Sequence, residues 1–352
     1  MHVVDNGIMK KYLIIGGTGS LGHKLIERLL VDAQVAVYSR DEAKHWTIRN
    51  ELSSMDNVLQ SYINNLSFFV GDIRDASRIK DVIRQYKPTT IIIAAALKQV
   101  DTCELSPSEA IATNLTGTQN VIDAVNELNP ELLTAVLFVS TDKACSPVNV
   151  YGMCKAISER IVTSQAMSGN SRIKYLVVRY GNVLESRGSI IPLLKYQAEN
   201  GSFLTITDPN MTRYVMTLDE SVNLINYALE YGESGTTWVP KLPSMKIGDL
   251  AEIFSKAYKK PIKIIGCRPG EKAHEDLINQ SESVRTLERG MYYAIDAAFK
   301  SGKEKSFTYT SADTVMTQEQ LEKHLENLGI LNMKLEQFKG LTIEEIATNR
   351  KE

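Results

Sequence analysis

Two pairs of residues in the middle of the chain carry side chains suited to moving protons: Asp142-Lys143 and Tyr151 with Lys155. Tyr and Lys four apart lie on one face of a helix. An ammonium beside a phenol favours the phenolate and lowers a pKa that is about 10 when unperturbed. Such a phenolate takes a proton from an alcohol while hydride leaves the same carbon. Oxidation of that kind needs only a Ser or Thr with the Tyr and the Lys, and Ser140-Thr141 stand just before Asp142. Asp142 and Lys143 add what elimination of water next to a carbonyl requires: an acid for the departing hydroxyl and a base for the neighbouring C–H. For Lys143 to be that base, burial or nearby positive charge must lower its pKa. A surface ion pair or a helix cap would use the same two residues, so the reading depends on the elements that position them.

Those elements alternate. Apolar runs at Tyr12–Ile15, Val35–Tyr38, Leu66–Val70, Thr90–Ala94 and Ala135–Val139 are separated by helical stretches at Leu21–Val31, Glu42–Met55, Ala76–Tyr86, Pro107–Glu127 and Val150–Met167; a sixth strand follows at Lys174–Tyr180. Runs with little alternation suit strands buried on both faces. Their repetition with helices predicts an α/β, Rossmann-type doubly wound parallel sheet. After Asn182 the pattern weakens and Gly and Pro become frequent, which predicts a smaller mixed C-terminal lobe. The division is a leader over 1–10, a nucleotide-binding domain over 11–182 with later segments returning to it, and a substrate lobe with a helical tail over 183–352. Tail helices are expected at Gln318–Leu328 and Thr342–Ala347. Residues 1–8 read as a loosely ordered leader without the apolar core of a signal peptide.

The first strand runs into Gly16-Gly17-Thr18-Gly19-Ser20-Leu21-Gly22. Glycines at 16, 19 and 22 let the backbone turn tightly and approach a pyrophosphate, with the next helix pointing its N–H groups at the charge. A plain tight turn is the alternative, but strand before and helix after is the context a dinucleotide site needs. The second strand ends in Ser39-Arg40-Asp41. An acid there would bind the ribose 2′-OH of NAD; Arg40, with Lys44 one turn on, suits the 2′-phosphate of NADP. Asp41 keeps NAD possible. Asp72 and Ile73 would border the adenine, and Ala94, Ala95 and Ala96 are small enough for close approach of the cofactor.

A net charge of −2 argues against nucleic-acid or membrane-surface partners. The longest apolar run, Ile91–Leu97, is far short of the roughly 20 residues a membrane helix needs. Cys103, Cys145, Cys154 and Cys267 form no CxxC pair, so free thiols in a reducing, cytoplasmic compartment are expected. His23 is placed on a helix and His45 on a surface loop, with no metal site.

The segments GGTGSLG, YSRDE, GDIRD, AAALKQV, TNLTGT, STDKACSP, YGMCK, RYGNVLESRGSIIP, TDPNMTRY, PSMKIGDLAE and RPGEKAHE occur in this order between about Lys11 and Leu277. Together they resemble the soluble UDP-N-acetylglucosamine 4,6-dehydratase family of extended short-chain dehydrogenases, which includes C5-inverting members. The resemblance implies that Tyr151 removes the C4 hydroxyl proton as hydride passes to a tightly bound NADP that is regenerated each cycle. Lys155 would hold the ribose and tune Tyr151, and Thr141 would hydrogen-bond the substrate near C4. Lys143 would take the C5 proton while Asp142 protonates the leaving C6 hydroxyl. Tyr180, Asn182 and Val183 would flank the nicotinamide. Lys98 and Asn182 would contact the sugar, Arg213 and Arg268 the UDP diphosphate, and Glu271 the uridine ribose. Some inverting members carry Met where this chain has Tyr151; the segments YTSADT and LEKHLENLGIL resemble capsule-type members and favour inversion at C5. A homo-oligomer, dimer or hexamer, is implied. The competing readings are a UDP-sugar 4-epimerase, which would not need Asp142-Lys143, and a non-catalytic NADP-sensing regulator.

Overall fold

The computed structural model describes residues 4–5, 8–54, 58–167, 172–184, 186, 189–298 and 306–333. Its centre is a nine-stranded sheet ordered in space Thr286–Arg289, Tyr292–Ile295, Thr237–Pro240, Lys174–Tyr180, Ala135–Thr141, Thr90–Ile93, Lys11–Ile15, Gln34–Ser39 and Leu66–Val70. From Thr237–Pro240 onward every pairing is parallel; the first two strands close that edge antiparallel. The inner strands Lys11–Ile15 and Thr90–Ile93 are largely apolar and buried because both faces are covered, whereas the edge strand Thr286–Arg289 ends in exposed Glu288 and Arg289. Tyr12, Ile14, Val35 and Val37 face one layer with Leu25, Ile48 and Ile225; Leu13, Ile15, Ala36 and Tyr38 face the other with Val82, Val121 and Val162. A fully buried Leu or Ile contributes about 1.5–3 kcal/mol.

The chain leaves Lys11–Ile15 toward one edge, reaches Leu66–Val70, and returns to Thr90–Ile93 on the other side of its starting strand. This reversal opens a crevice beyond the strand ends, where ligands of such sheets bind. A second core, with Ile191, Leu194, Met245, Leu250, Phe254, Leu321 and Leu325, belongs to the later part of the chain. It is built on a three-stranded sheet of Ser244–Lys246, Thr212–Met216 and Asn182–Val183.

Three local expectations change. The leader holds a short antiparallel pair, Val4–Asp5 with Ile8–Met9. The helix expected over Pro107–Glu127 is divided into Pro107–Ala110, a π-helical turn at Ile111–Thr116, and Gly117–Leu128. His45 is buried within the helix Glu42–Ser54, its Nε2 2.7 Å from Ser39 Oγ. The tail helix at Gln318–Asn327 is present, with a Thr317–Gln320 capping box; the helix expected at 342–347 falls outside the described residues.

A buried ion cluster joins the layers. Arg179, 2 % exposed, is hydrogen-bonded to Glu159 (2.5 and 3.0 Å), to Glu282 (2.8 Å twice) and to the Leu277 carbonyl (2.9 Å). Ser140 Oγ also donates to Glu159 at 2.5 Å. Removing one member of such a cluster leaves buried charge uncompensated, at a cost of about 3–5 kcal/mol. Arg179→Met should therefore lower the unfolding free energy by about that amount in urea titration; a loss below about 1 kcal/mol would show the cluster to be dispensable. Burial would raise the Glu282 carboxyl, but the Arg179 charge and hydrogen bonds outweigh it and hold it at about 2. A carboxyl depressed in the folded state adds stability above its ordinary value of 4.5, and this is lost as pH falls through about 2. Acid titration of stability should be shallower in Glu282→Gln than in the parent over that window.

Candidate active site

The glycine turn is shaped by contact as well as by flexibility. Gly16 has φ +89°, and a Cβ there would lie 2.5 Å from the backbone of Ala95. At Gly22 a Cβ would meet the Gly17 carbonyl oxygen at 2.1 Å. These positions bring the turn against Ala94–Ala96 and the helix Ser20–Leu29 against the turn that precedes it. Gly19 is different: a Cβ there would touch only Gly16 O, at 3.7 Å. It is the N-cap of that helix, which has no capping side chain and no acid in its first turn. The positive helix end is thus presented to the crevice.

At the end of the second strand Arg40, with a side chain 58 % exposed, lies 3.7 Å from Asp72. Lys44 pairs with Asp41 at 3.3 Å. Asp72 is itself gripped by Arg74 at 2.7 Å. Arg40 and Lys44 both line the crevice.

The strand Ala135–Thr141 ends in a 3₁₀ turn, Asp142–Ala144, and the helix Val150–Ser164 packs directly on it. Asn149 caps this helix by accepting from Gly152 N at 2.8 Å. A Cβ at Gly152 would lie 2.1 Å from Lys143 O, so the helix start sits hard against the turn and carries Tyr151 to it. Thr141 Oγ1 donates to Asp142 Oδ1 at 2.9 Å and is also hydrogen-bonded to the Tyr151 phenol. Lys143 Nζ is 3.1 Å from Asp142 Oδ1 and 3.3 Å from Glu275 Oε1.

The electrostatics differ from the expectation in two ways. Burial pushes the Tyr151 phenol up to about 12; the cation that opposes this is Lys143, not Lys155. Lys155 shares the helix face but its Nζ turns back to the Val139 carbonyl, 2.5 Å away, and over the Phe138 ring. Burial lowers that amine to about 7, against the pull of Glu159. Lys143 moves the opposite way from what a base needs. Burial alone would lower it, but Asp142 and Glu275 outweigh burial and hold it as ammonium, well above its ordinary range.

All the residues singled out from the sequence, from Gly16 to Glu271, line one cleft of about 690 Å³, within the roughly 300–1,000 Å³ usual for small-ligand sites. Lys98 and the exposed Arg268 stand on its walls, and Asn182 has its Oδ1 buried without a hydrogen-bond partner among the described residues. Arg213 faces the cleft, yet its guanidinium donates to the carbonyls of Thr212 (2.7 Å), Lys272 (3.0 Å) and Ala273 (3.3 Å). It braces the 272–275 loop. Glu275 went unread in the sequence; it closes the segment RPGEKAHE, four residues after Glu271, but nothing in that spacing says that its side chain enters the reaction centre. Among the described residues no group of three or more His, Cys, Asp or Glu is placed to hold a metal, and no helix is long and apolar enough to cross a membrane.

A family profile described as polysaccharide biosynthesis protein matches residues 12–297. A UDP-N-acetylglucosamine 4,6-dehydratase (inverting) of Campylobacter jejuni is 40 % identical, over 84 % of this chain and 86 % of its own. A UDP-glucose 4-epimerase of Rickettsia bellii is 38 % identical, over 81 % and 82 %. The crystal structure of Pen from Bacillus thuringiensis superposes with a TM-score of 0.83 at 32 % identity, covering 92 % of this chain and 98 % of that one. On this sequence match and this extended short-chain dehydrogenase fold, the chain belongs to the polysaccharide biosynthesis protein family, among its sugar-nucleotide dehydratases and epimerases.

Proposed function

We propose that this protein is an NADP-dependent 4,6-dehydratase acting on UDP-N-acetylglucosamine, with inversion at C5. The observation that carries the reading is the meeting of Asp142 and Lys143 with Tyr151 on one wall of the cleft. Oxidation at C4 alone does not call for a buried acid and a half-buried amine beside the phenol. The name and identity of the Campylobacter relative support the same substrate and stereochemistry.

The glycine cradle and uncapped helix end fit a pyrophosphate, and Arg40 with Lys44 fit a 2′-phosphate. Bound there, NADP would supply hydride exchange with the sugar and finish each cycle in its starting state. Ala94–Ala96, Lys155, Tyr180, Asn182 and Val183 would complete its site. Tyr151 takes the C4 hydroxyl proton. Thr141, bonded to both Tyr151 and Asp142, lets that proton travel on to Asp142, which delivers it to the departing C6 hydroxyl. Lys143 serves the C5 proton. Arg268 reaches for the diphosphate, with Glu271 beside the uridine ribose and Lys98 at the sugar. Arg213 contributes through the loop it braces.

A UDP-sugar 4-epimerase is the second reading, favoured by the name of the Rickettsia relative. Incubation with UDP-N-acetylglucosamine in heavy water, read by NMR, separates the two. The dehydratase yields a 4-keto-6-deoxy sugar with deuterium at C5; a C4 epimer without C5 label would overturn the proposal. Lys143→Ala should abolish product while NADP and UDP-sugar still bind, and near-parental turnover would remove Lys143 from the chemistry. Arg40→Asp should weaken NADP binding more than NAD binding in titration calorimetry; equal losses would refute the 2′-phosphate contact.

A further inference from the structure

Lys143 meets two carboxylates. Asp142 and Glu275 are 1 % and 2 % exposed, and each leaves one oxygen, Asp142 Oδ2 and Glu275 Oε2, buried without a hydrogen-bond partner among the described residues. Buried polar atoms are normally satisfied. Two carboxylates flanking one ammonium at a cleft, each with its second oxygen unpartnered among the described residues, suit groups that exchange protons.

The backbone of Glu275 is pinned from both sides. Its N–H donates to Ser311 Oγ at 2.9 Å, and its carbonyl accepts from Ser311 N at 2.8 Å. Ser311 in turn is 2.6 Å from Thr212 Oγ1 and accepts from Ser244 Oγ at 2.5 Å. Ser311 lies in the YTSADT segment, to which the proposed function gives no other task. Arg213 Nε stands 3.9 Å from Glu275 Oε1 and limits its reach.

We propose that Glu275 takes the surplus proton of Lys143 so that the amine can act at C5, an inference that rests on the dehydratase reading. With Asp142 carrying the proton destined for the C6 hydroxyl, Lys143 and Glu275 share one proton. Its transfer to Glu275 leaves a neutral amine beside a neutral acid. The amine then takes the C5 proton, and the C–H electron pair passes to the C4 ketone as an enolate. The C6–O bond breaks with the Asp142 proton, releasing water. A solvent-derived proton is then added to C5 from the face opposite Lys143, as inversion requires, and Glu275 gives the one it held to solvent, which leaves Lys143 as ammonium beside a carboxylate as at the start. No further reactant is consumed. Burial raises the affinity of Glu275 for a proton in keeping with this role, as does Asp142 while it is ionised, against the opposing Lys143, Arg213 and Lys272.

The test compares the parent, Glu275→Gln and Glu275→Asp, each as the full chain with NADP and UDP-N-acetylglucosamine in heavy water. In Glu275→Gln, oxidation at C4 should persist, seen as reduced cofactor accumulating in the near ultraviolet. Deuterium entry at C5 should fall about 10²- to 10⁴-fold. The residual exchange should rise with pH, because Lys143 must now lose its proton to solvent. The other groups facing this site, Asp142, Tyr151, Arg213, Tyr214 and Lys272, are unchanged in the variant. Glu275→Asp should regain part of the exchange. C5 exchange at the parental rate in Glu275→Gln would overturn the inference. So would equal losses of C4 oxidation and C5 exchange with an unshifted pH profile and no gain from Asp, which is the mark of a structural role. A parent that neither reduces its cofactor nor forms product would instead overturn the dehydratase reading on which the inference stands.

Discussion

Compensation of buried charge is the constraint on which this site depends. Arg179 is buried, and its guanidinium is satisfied only when Glu159 and Glu282 are both in place. Glu159 belongs to the helix that carries Tyr151, Ser140 to the strand that ends in Asp142, and Glu282 to a segment just beyond Glu275. One guanidinium thereby fixes three pieces of chain against one another. A neutral cluster of the same volume could match its stability, but it would not fix the three segments with the same directional bonds.

Above this cluster the charges are balanced less completely. Lys143 is held by two carboxylates, each with an oxygen to spare. The difference between the two clusters is one of saturation. Around Arg179 the donors and both carboxylates are matched by close hydrogen bonds, and the carboxyl of Glu282 is driven far toward its ionised form. Around Lys143 the matching is partial, and each carboxylate keeps a buried oxygen without a hydrogen-bond partner among the described residues.

Steric contact sets the scale of the cleft. Gly16, Gly22 and Gly152 are places where a single Cβ would run into backbone, and each brings a turn or helix start against the turn or loop that follows a strand. Gly181 adds a fourth approach, where a Cβ would lie 2.5 Å from Tyr214 Cβ and 3.1 Å from Asp142 Oδ2. The machinery is compact because these residues have no side chain.

The sequence by itself determined the alternation of strands and helices, the glycine turn and the pairing of Asp142-Lys143 with Tyr151. These are legible because they follow from local periodicity and from spacing within one turn or one helix. The position of Arg40 and Lys44 was likewise readable from the end of a single strand. Tertiary structure alone decided the ionisation of the site. Lys155 shares a helix face with Tyr151, yet its amine points to Val139 and Phe138; Lys143 becomes the nearer cation and is held protonated. It also decided that Glu275, over a hundred residues further along the chain, enters the reaction centre, and that Arg213 spends its donors on carbonyls. A pKa depends on burial and on charges within a few ångströms, and neither is encoded in the spacing of neighbours along the chain.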